Sequence, residues 1–240
     1  MANLIQEQNK FSVLAAIVFC CLGLSNATVY YVKPDDNTNC SHIKYECHIL
    51  SYYLEKSNVG SYFKSDTTMV FLQGTHSANR SATIKQVSSL TLVGEAGQPS
   101  AKIMCNRKSV GFEFFNMTDL HIQNLTFSEC GQAVSVPKGY TCAAIRFNNV
   151  TNLSLLGLTV SKSMGYGLYA DKILGNFFIK DSTFMWNNGS KLYYGGNAIF
   201  FYSHCPSTRE INSLQIEASR FLHGCNPYNL ICCPSAYCTF

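Results

Sequence analysis

Charge is scarce in this 240-residue chain. Asp, Glu, Lys and Arg together make up 13%, about half the usual share of roughly 25%. Because 47% of the residues are hydrophobic and 13% aromatic, disorder is excluded: a chain this apolar buries a sizeable core. No basic run concentrates the net charge of +4, which excludes a nucleic-acid partner, since such a partner needs a clustered basic stripe. Helical periodicity is nearly missing, and only "CHILSYYLEKS" (47–57) has the spacing of a short helix. Signatures of chemistry are equally thin. The histidines, at 42, 48, 76, 121, 204 and 223, show no metal-ligand spacing. Neither G-x-S-x-G nor a phosphate-cradling loop occurs, so the sequence implies no metal and no cofactor.

Only one long apolar run exists. "FSVLAAIVFCCLGL" (11–24) follows Lys10 and precedes Ser25 and Ala27, which stand at small-residue cleavage positions. Its length falls short of the roughly 20 residues of a membrane span. Residues 1–27 therefore read as a secretory signal peptide, with no membrane span beyond it, and the protein is expected to be secreted and extracellular. Cysteine use agrees. Two of the twelve Cys lie in the signal, which leaves ten, at 40, 47, 105, 130, 142, 205, 225, 232, 233 and 238. An even set after an export signal points to disulfides rather than thiol chemistry. Cys40 and Cys47, which bracket a short loop, are the expected pair; the others cannot be connected from sequence. A zinc reading of "CNPYNLICCPSAYC" fails on its adjacent Cys232 and Cys233.

Asn-x-Ser/Thr triplets follow at Asn39, Asn79, Asn116, Asn124, Asn149, Asn152 and Asn188. Their density beside a signal predicts a glycoprotein. Glycan is expected at Asn39, Asn79 and Asn188, in loop-like surroundings. Asn116 and Asn149 occupy the same turn of successive repeats, where stacked amides can bond to one another instead.

One phrase recurs along the chain: "LTLVG" from Leu90, "LHIQNLTF" from Leu120, "LSLLGLTV" from Leu153, "FFIKDSTF" from Phe177 and "LQIEASRF" from Leu214. In the last four, positions 1, 3 and 8 are apolar, which is period-two strand logic broken by a bend. The bend falls at Asn124, Gly157, Asp181 and Ala218. Three of these residue types tolerate a left-handed backbone and Ala218 does not. A second strand precedes each phrase: "GFEFF" (111–115), "AAIRF" (143–147), "GLYA" (167–170) and "NAIFFY" (197–202). Hairpins have no reason to repeat one corner chemistry in one register. A coiled chain has such a reason, because each pass lays a strand parallel to its counterpart about 4.8 Å below.

These phrases resemble the repeats of right-handed parallel β-helix domains, the pectin-lyase-like fold. The segment "VYYVKPDDNTNC…ECHILSYYL…TTMVFLQGTH…SSLTLVGE" (29–95) is similar to the start of uncharacterised secreted β-helix proteins of marine invertebrates. The resemblance implies an all-β solenoid over 28–224, with an N-terminal cap over 28–85 in which a strand and a short helix cover the open end. The Cys-rich tail 225–240 is expected either to cap the last coil or to lead into further sequence, and continuation is favoured.

The same alignment predicts outward columns. One is His121, Ser154, Phe178 and Gln215, and the next is Gln123, Leu156, Lys180 and Glu217. Neither stacks the two carboxylates that glycoside hydrolysis requires. On the other strand the column is Glu113, Arg146, Tyr169 and Phe200, with Tyr202 two residues on. Tyr169, Phe200 and Tyr202 are the candidate ligand-binding residues, because flat aromatic surface is what sugar rings pack against. The expected function is an extracellular recognition or matrix module that binds glycans or matrix proteins. A polysaccharide lyase or glycoside hydrolase with its site on an insertion loop is the alternative.

Overall fold

The computed structural model describes residues 27–35, 40–41, 43–95, 100–106, 111–131, 143–163, 165–187, 199–202, 211–222 and 238–239; of 199–202, 211–212 and 238–239 it describes the backbone alone. The chain enters through β1 (Thr28–Lys33) and β2 (Cys47–Ile49), then two short helices, α1 (Leu50–Tyr53) and α2 (Lys56–Tyr62). Five strands follow: β3 (Thr67–Phe71), β4 (Gly74–Ser77), β5 (Ala82–Lys85), β6 (Ser88–Gly94) and β7 (Ala101–Met104). Next come β8 (Phe112–Gln123), β9 (Leu125–Ser128), β10 (Ala143–Leu156), β11 (Thr159–Ser161), β12 (Tyr166–Lys180) and β13 (Thr183–Met185). The last are β14 (Ile199–Tyr202), β15 (Ile211–Glu217), β16 (Arg220–Leu222) and β17 (Cys238–Thr239).

All described strand pairs are parallel, in two sheets. One runs in the order β17-β15-β12-β10-β8-β6-β3-β1-β2, with β14 on β12 and β5 on β8; the other runs β16-β13-β11-β9-β7-β4. From β3 onward the chain moves from one sheet to the other and back. Each return lays a strand on its predecessor in register.

The strand phrases account for that register. Leu90, Leu120, Leu153, Phe177 and Leu214 are direct partners across β6, β8, β10, β12 and β15. All five are buried. A second file joins Ile103, Phe127, Val160, Phe184 and Phe221 in the other sheet. Side chains of like shape thus lie over one another, as when the Phe114 and Phe147 rings stack with centroids 5.6 Å apart. The polar exception among these inward positions is His76, partner of Ile103. Its ring nitrogens lie 3.1 Å from the Lys33 carbonyl and 2.8 Å from that of Leu72, so at least one donates in either tautomer.

The corners follow from backbone sterics. Asn124, Gly157, Asp181 and Ala218 all have positive φ, at 51°, 61°, 50° and 46°. Ala218 therefore turns the same corner as the others despite its Cβ. The phrases expected as separate strands are continuous in β8, β10 and β12. Each long strand bends at left-handed residues, Asn116 and Asp119 in β8 and Asn149 and Asn152 in β10, and so contributes to two faces. Hydrogen bonding to the neighbouring pass continues through the bends, which is why the strand is unbroken.

The expected helix over 47–57 is corrected. Cys47–Ile49 is a strand paired on β1, with Tyr31 opposite Cys47, and the helical residues fall into α1 and α2. Backbone pairing to β1 outcompetes local helix propensity there. Cys47 is also bonded to Cys40, and a second disulfide, Cys105–Cys130, links consecutive passes in the buried core.

Candidate ligand-binding face

The face formed by β5 and the first halves of β8, β10 and β12, continued by β14, carries the outward column read from the sequence. Thr83 is opposite Glu113, Glu113 opposite Arg146, Arg146 opposite Tyr169, and Tyr169 opposite Phe200. Two residues along, Lys85, Phe115, Asn148, Asp171 and Tyr202 form a second column. The period of two that puts Tyr202 beside Phe200 also leads to Asn148 and Asp171, which an aromatic pattern does not single out because neither carries a ring.

Charge and ring alternate up this face. Thr83 Oγ1 donates to Glu113 Oε2 at 3.0 Å, and Arg146 Nη1 lies 3.7 Å from Glu113 Oε1. The guanidinium carbon of Arg146 stands 5.8 Å from the centre of the Phe115 ring and 5.3 Å from that of Tyr169. A cation over ring faces is stabilised by their quadrupoles, more so when desolvated. Lys85 Nζ lies 5.5 Å from the Phe115 centre on the pass before. Asn148 Nδ2 donates to Asp171 Oδ2 at 3.0 Å, while Asp171 Oδ1 is buried and accepts no hydrogen bond from the described residues.

Burial changes the meaning of the column. Glu113 is 5% exposed and Tyr169 7%, although both lie on the outward side of the strand. Tyr169 also packs in a small cluster with Ala143 and Tyr166. The ring expected on an open surface is therefore withdrawn from solvent, and its contacts include the Arg146 guanidinium and the Tyr166 ring. Strand alternation assigns a side chain to one side of a sheet, but it carries no information on what covers that side. Phe200 and Tyr202 continue the two columns by backbone register, and their side chains lie outside the described residues.

The other outward columns stand where the alignment put them. His121, Ser154, Phe178 and Gln215 are partners in sequence order, as are Gln123, Leu156, Lys180 and Glu217. Lys180 Nζ pairs with Glu217 Oε2 at 3.2 Å, half exposed. Such a pair contributes little. Among the described residues no group of three or more His, Cys, Asp or Glu is placed to hold a metal ion. No described helix is long and apolar enough to cross a membrane, and the segment expected to be a signal, 1–27, lies outside the described residues except for Ala27. Of the expected glycan sites, Asn79 is exposed and follows β4, whereas Asn39 and Asn188 lie outside the described residues.

The N-terminal end gathers a different set of groups. Tyr62 Oη donates to Glu46 Oε1 at 2.6 Å and sits 3.1 Å from Tyr52 Oη. With the Tyr62 proton directed to the carboxylate, Tyr52 is the donor in that second contact. His48 Nε2 lies 3.1 Å from the same Glu46 oxygen, and its ring stacks on Tyr52 at 4.0 Å. Tyr53 Oη donates to the Tyr31 carbonyl at 2.9 Å. Burial raises the Tyr53 phenol well above its ordinary value, and the bond to Glu46 raises that of Tyr62.

No family model, curated protein or solved structure matches this chain.

Proposed function

We propose that this chain is a secreted, glycosylated, disulfide-bonded module of right-handed parallel β-helix form. Its role in this reading is extracellular recognition, with glycans as ligands, or matrix structure, without catalysis of its own. The two described disulfides, Cys40–Cys47 and Cys105–Cys130, support an oxidising compartment. The coil form is supported by the in-register parallel files and by the left-handed corners that recur from pass to pass.

One observation carries the preference for binding over hydrolysis. Of the three carboxylates in the outward columns, Glu113 and Glu217 each face a cation on the neighbouring pass, at 3.7 and 3.2 Å, and Asp171 accepts from Asn148 at 3.0 Å, so no two of them are partners on neighbouring strands. A glycosidase instead sets two carboxyl groups across a single bond, about 5–10 Å apart, one to protonate and one to attack or to activate water. Within this reading Tyr169 is a buried support, and ligand contact falls to Phe200 and Tyr202 on the next strand of the same face.

The test has two parts. Incubation with uronic-acid and neutral polysaccharides is expected to release no new reducing ends and no unsaturated products; turnover would instead establish a lyase or hydrolase. On a glycan array, Phe200→Ala with Tyr202→Ala is expected to lose binding at unchanged thermal stability. Retained binding in that double variant would move the site off this face.

A further inference from the structure

The corner between the two halves of each long strand holds two files of side chains, and both files contain sequon asparagines. In the first, Asn116 in β8 lies beside Asn149 in β10, and Asn149 Nδ2 donates to Asn116 Oδ1 at 2.7 Å. In the second, Asn152 in β10 lies between Asp119 and Asn176. Asn152 Nδ2 donates to Asp119 Oδ1 at 2.8 Å, and Asn152 Oδ1 accepts from the backbone N–H of Asn176 at 3.1 Å. These last two bonds fix the orientation of the Asn152 amide, since a carboxylate can only accept and a backbone N–H can only donate. Its oxygen also fills the space over Gly175, where a Cβ would stand 2.4 Å away. Asn152 thus joins three successive passes.

Asn116 has a different position in the same construction. It takes part through its oxygen alone, its Nδ2 donates to nothing among the described residues, and the residue is exposed. The hydroxyl residue of its sequon, Thr118, is exposed as well, whereas Thr151 and Ser154 of the other two sequons are partly covered. An N-linked glycan leaves the side-chain oxygen intact, so a glycan on Asn116 preserves the bond from Asn149. A glycan on Asn152 would have to enter the space between passes.

We propose that Asn116 is an N-glycosylation site and that Asn149 and Asn152, although in sequons, are structural and carry no glycan in the folded protein. The inference rests on the export reading above. In the modification, Asn116 Nδ2 attacks C1 of a lipid-linked oligosaccharide pyrophosphate. The C1–Nδ2 bond forms, the C1–O bond to pyrophosphate breaks, and the amide nitrogen loses one proton. Transfer precedes folding, so every sequon meets the transferase while extended. The fold then selects, because a glycan on Asn152 must be accommodated beside a partly covered amide that is bonded to the pass on either side, whereas one on Asn116 leaves from an exposed residue.

The test uses the full chain expressed through the secretory pathway of a eukaryotic cell. Glycans are removed enzymatically in heavy-oxygen water, and the labelled aspartates are mapped in the secreted and retained pools. The secreted pool is expected to carry label at Asn79 and Asn116 and none at Asn149 or Asn152, with Asn152 label confined to the retained pool. Asn116→Gln should remove one glycan's mass and leave secretion and Tm unchanged, since Gln86 holds the same corner in the preceding pass at a φ of 57°. Asn152→Asp, which opposes Asp119 with a second carboxylate, should lower secretion several-fold. A secreted chain labelled at Asn79 but bare at Asn116, or labelled at Asn152, overturns the proposal alone. A chain that is not exported and bears no glycan on any sequon overturns the export reading and the proposal with it.

Discussion

The middle passes, from 112 to 222, and the N-terminal end, from 28 to 63, bury aromatic rings in different ways. In the middle, Phe114 and Phe147 lie nearly parallel, 11° apart, and Phe184 and Phe221 are 8° apart. At the end, Tyr30 and Tyr62 meet at 81°, and Tyr53 and Tyr62 at 84°. The rings stacked here from one pass to the next are Phe, whereas Phe112 and Phe127, within one pass, cross at 83°; these crossed rings of the end are Tyr. Where Phe stands at the same position of two successive passes, as in these two pairs, repetition of position aligns the planes, and a hydroxyl there would need a partner inside the core. Among the described residues no full pass precedes this end. The first layer is covered by α1, α2 and rings set edge-on, whose apolar bodies close the core while their hydroxyls reach Glu46, the Tyr31 carbonyl or one another. A repeated interior and a non-repeated end thus solve one burial problem with different chemistry.

The sharpest way to break the comparison is a cavity in the interior. Phe147→Ala should lower the free energy of unfolding by about 4 kcal/mol, measured by urea denaturation, with the m-value unchanged if the passes unfold together. Next in size is Arg146→Ala, which strands the buried Glu113 carboxylate and should cost about 3 kcal/mol. Glu113→Gln combined with Arg146→Met should recover most of that loss, because it removes both charges and keeps volume. Smaller effects belong to the corners. Gly157→Ala adds a Cβ at a φ of +61°, 2.6 Å from Asn124 Oδ1, and should cost about 1–2 kcal/mol. Ala218→Gly at the equivalent corner should stabilise by about 0.5 kcal/mol, the relief of strain less the added chain entropy.

The smallest effect distinguishes the end from the interior by pH. Tyr53 is raised by burial, Tyr62 by its bond to Glu46, and Tyr31 by burial with help from the Tyr45 and Glu95 charges. A phenol raised above its unfolded value of about 10 contributes stability that is fully present below that pH. The contribution is lost as pH rises towards the folded values. Amide exchange in Tyr31 to Tyr62 should therefore accelerate above about pH 10 before exchange in β8 and β10 does. Simultaneous loss in both regions would show that the end is not a separable unit.

How much of the face was legible depends on the kind of information each residue carries. The partners Glu113–Arg146 and Tyr169–Phe200 follow from counting alternate residues off Phe114, Phe147 and Ala170, and the structure places them so. The burial of Tyr169 does not follow, because it depends on groups distant in sequence. The same holds for Cys105 and Cys130: their thiols could be joined only once consecutive passes brought the two Cα atoms to 4.7 Å. Cys40 and Cys47, close in sequence, were readable as a pair.

The sequence by itself determined the repeating part of this protein: which side chains point inward, which residues turn the corners, and therefore which strand lies on which. Those are local properties, set by alternation along a strand and by the φ values that Asn, Asp and Gly tolerate; Ala218 turns its corner against that preference, where register with the preceding passes overrides it. Only the tertiary structure decided what happens where repetition stops or where one side of a sheet is covered. It unwound the start of the expected helix into β2, closed the end with tyrosines, and withdrew Glu113 and Tyr169 from water. Each of those outcomes depends on atoms brought together from separate passes.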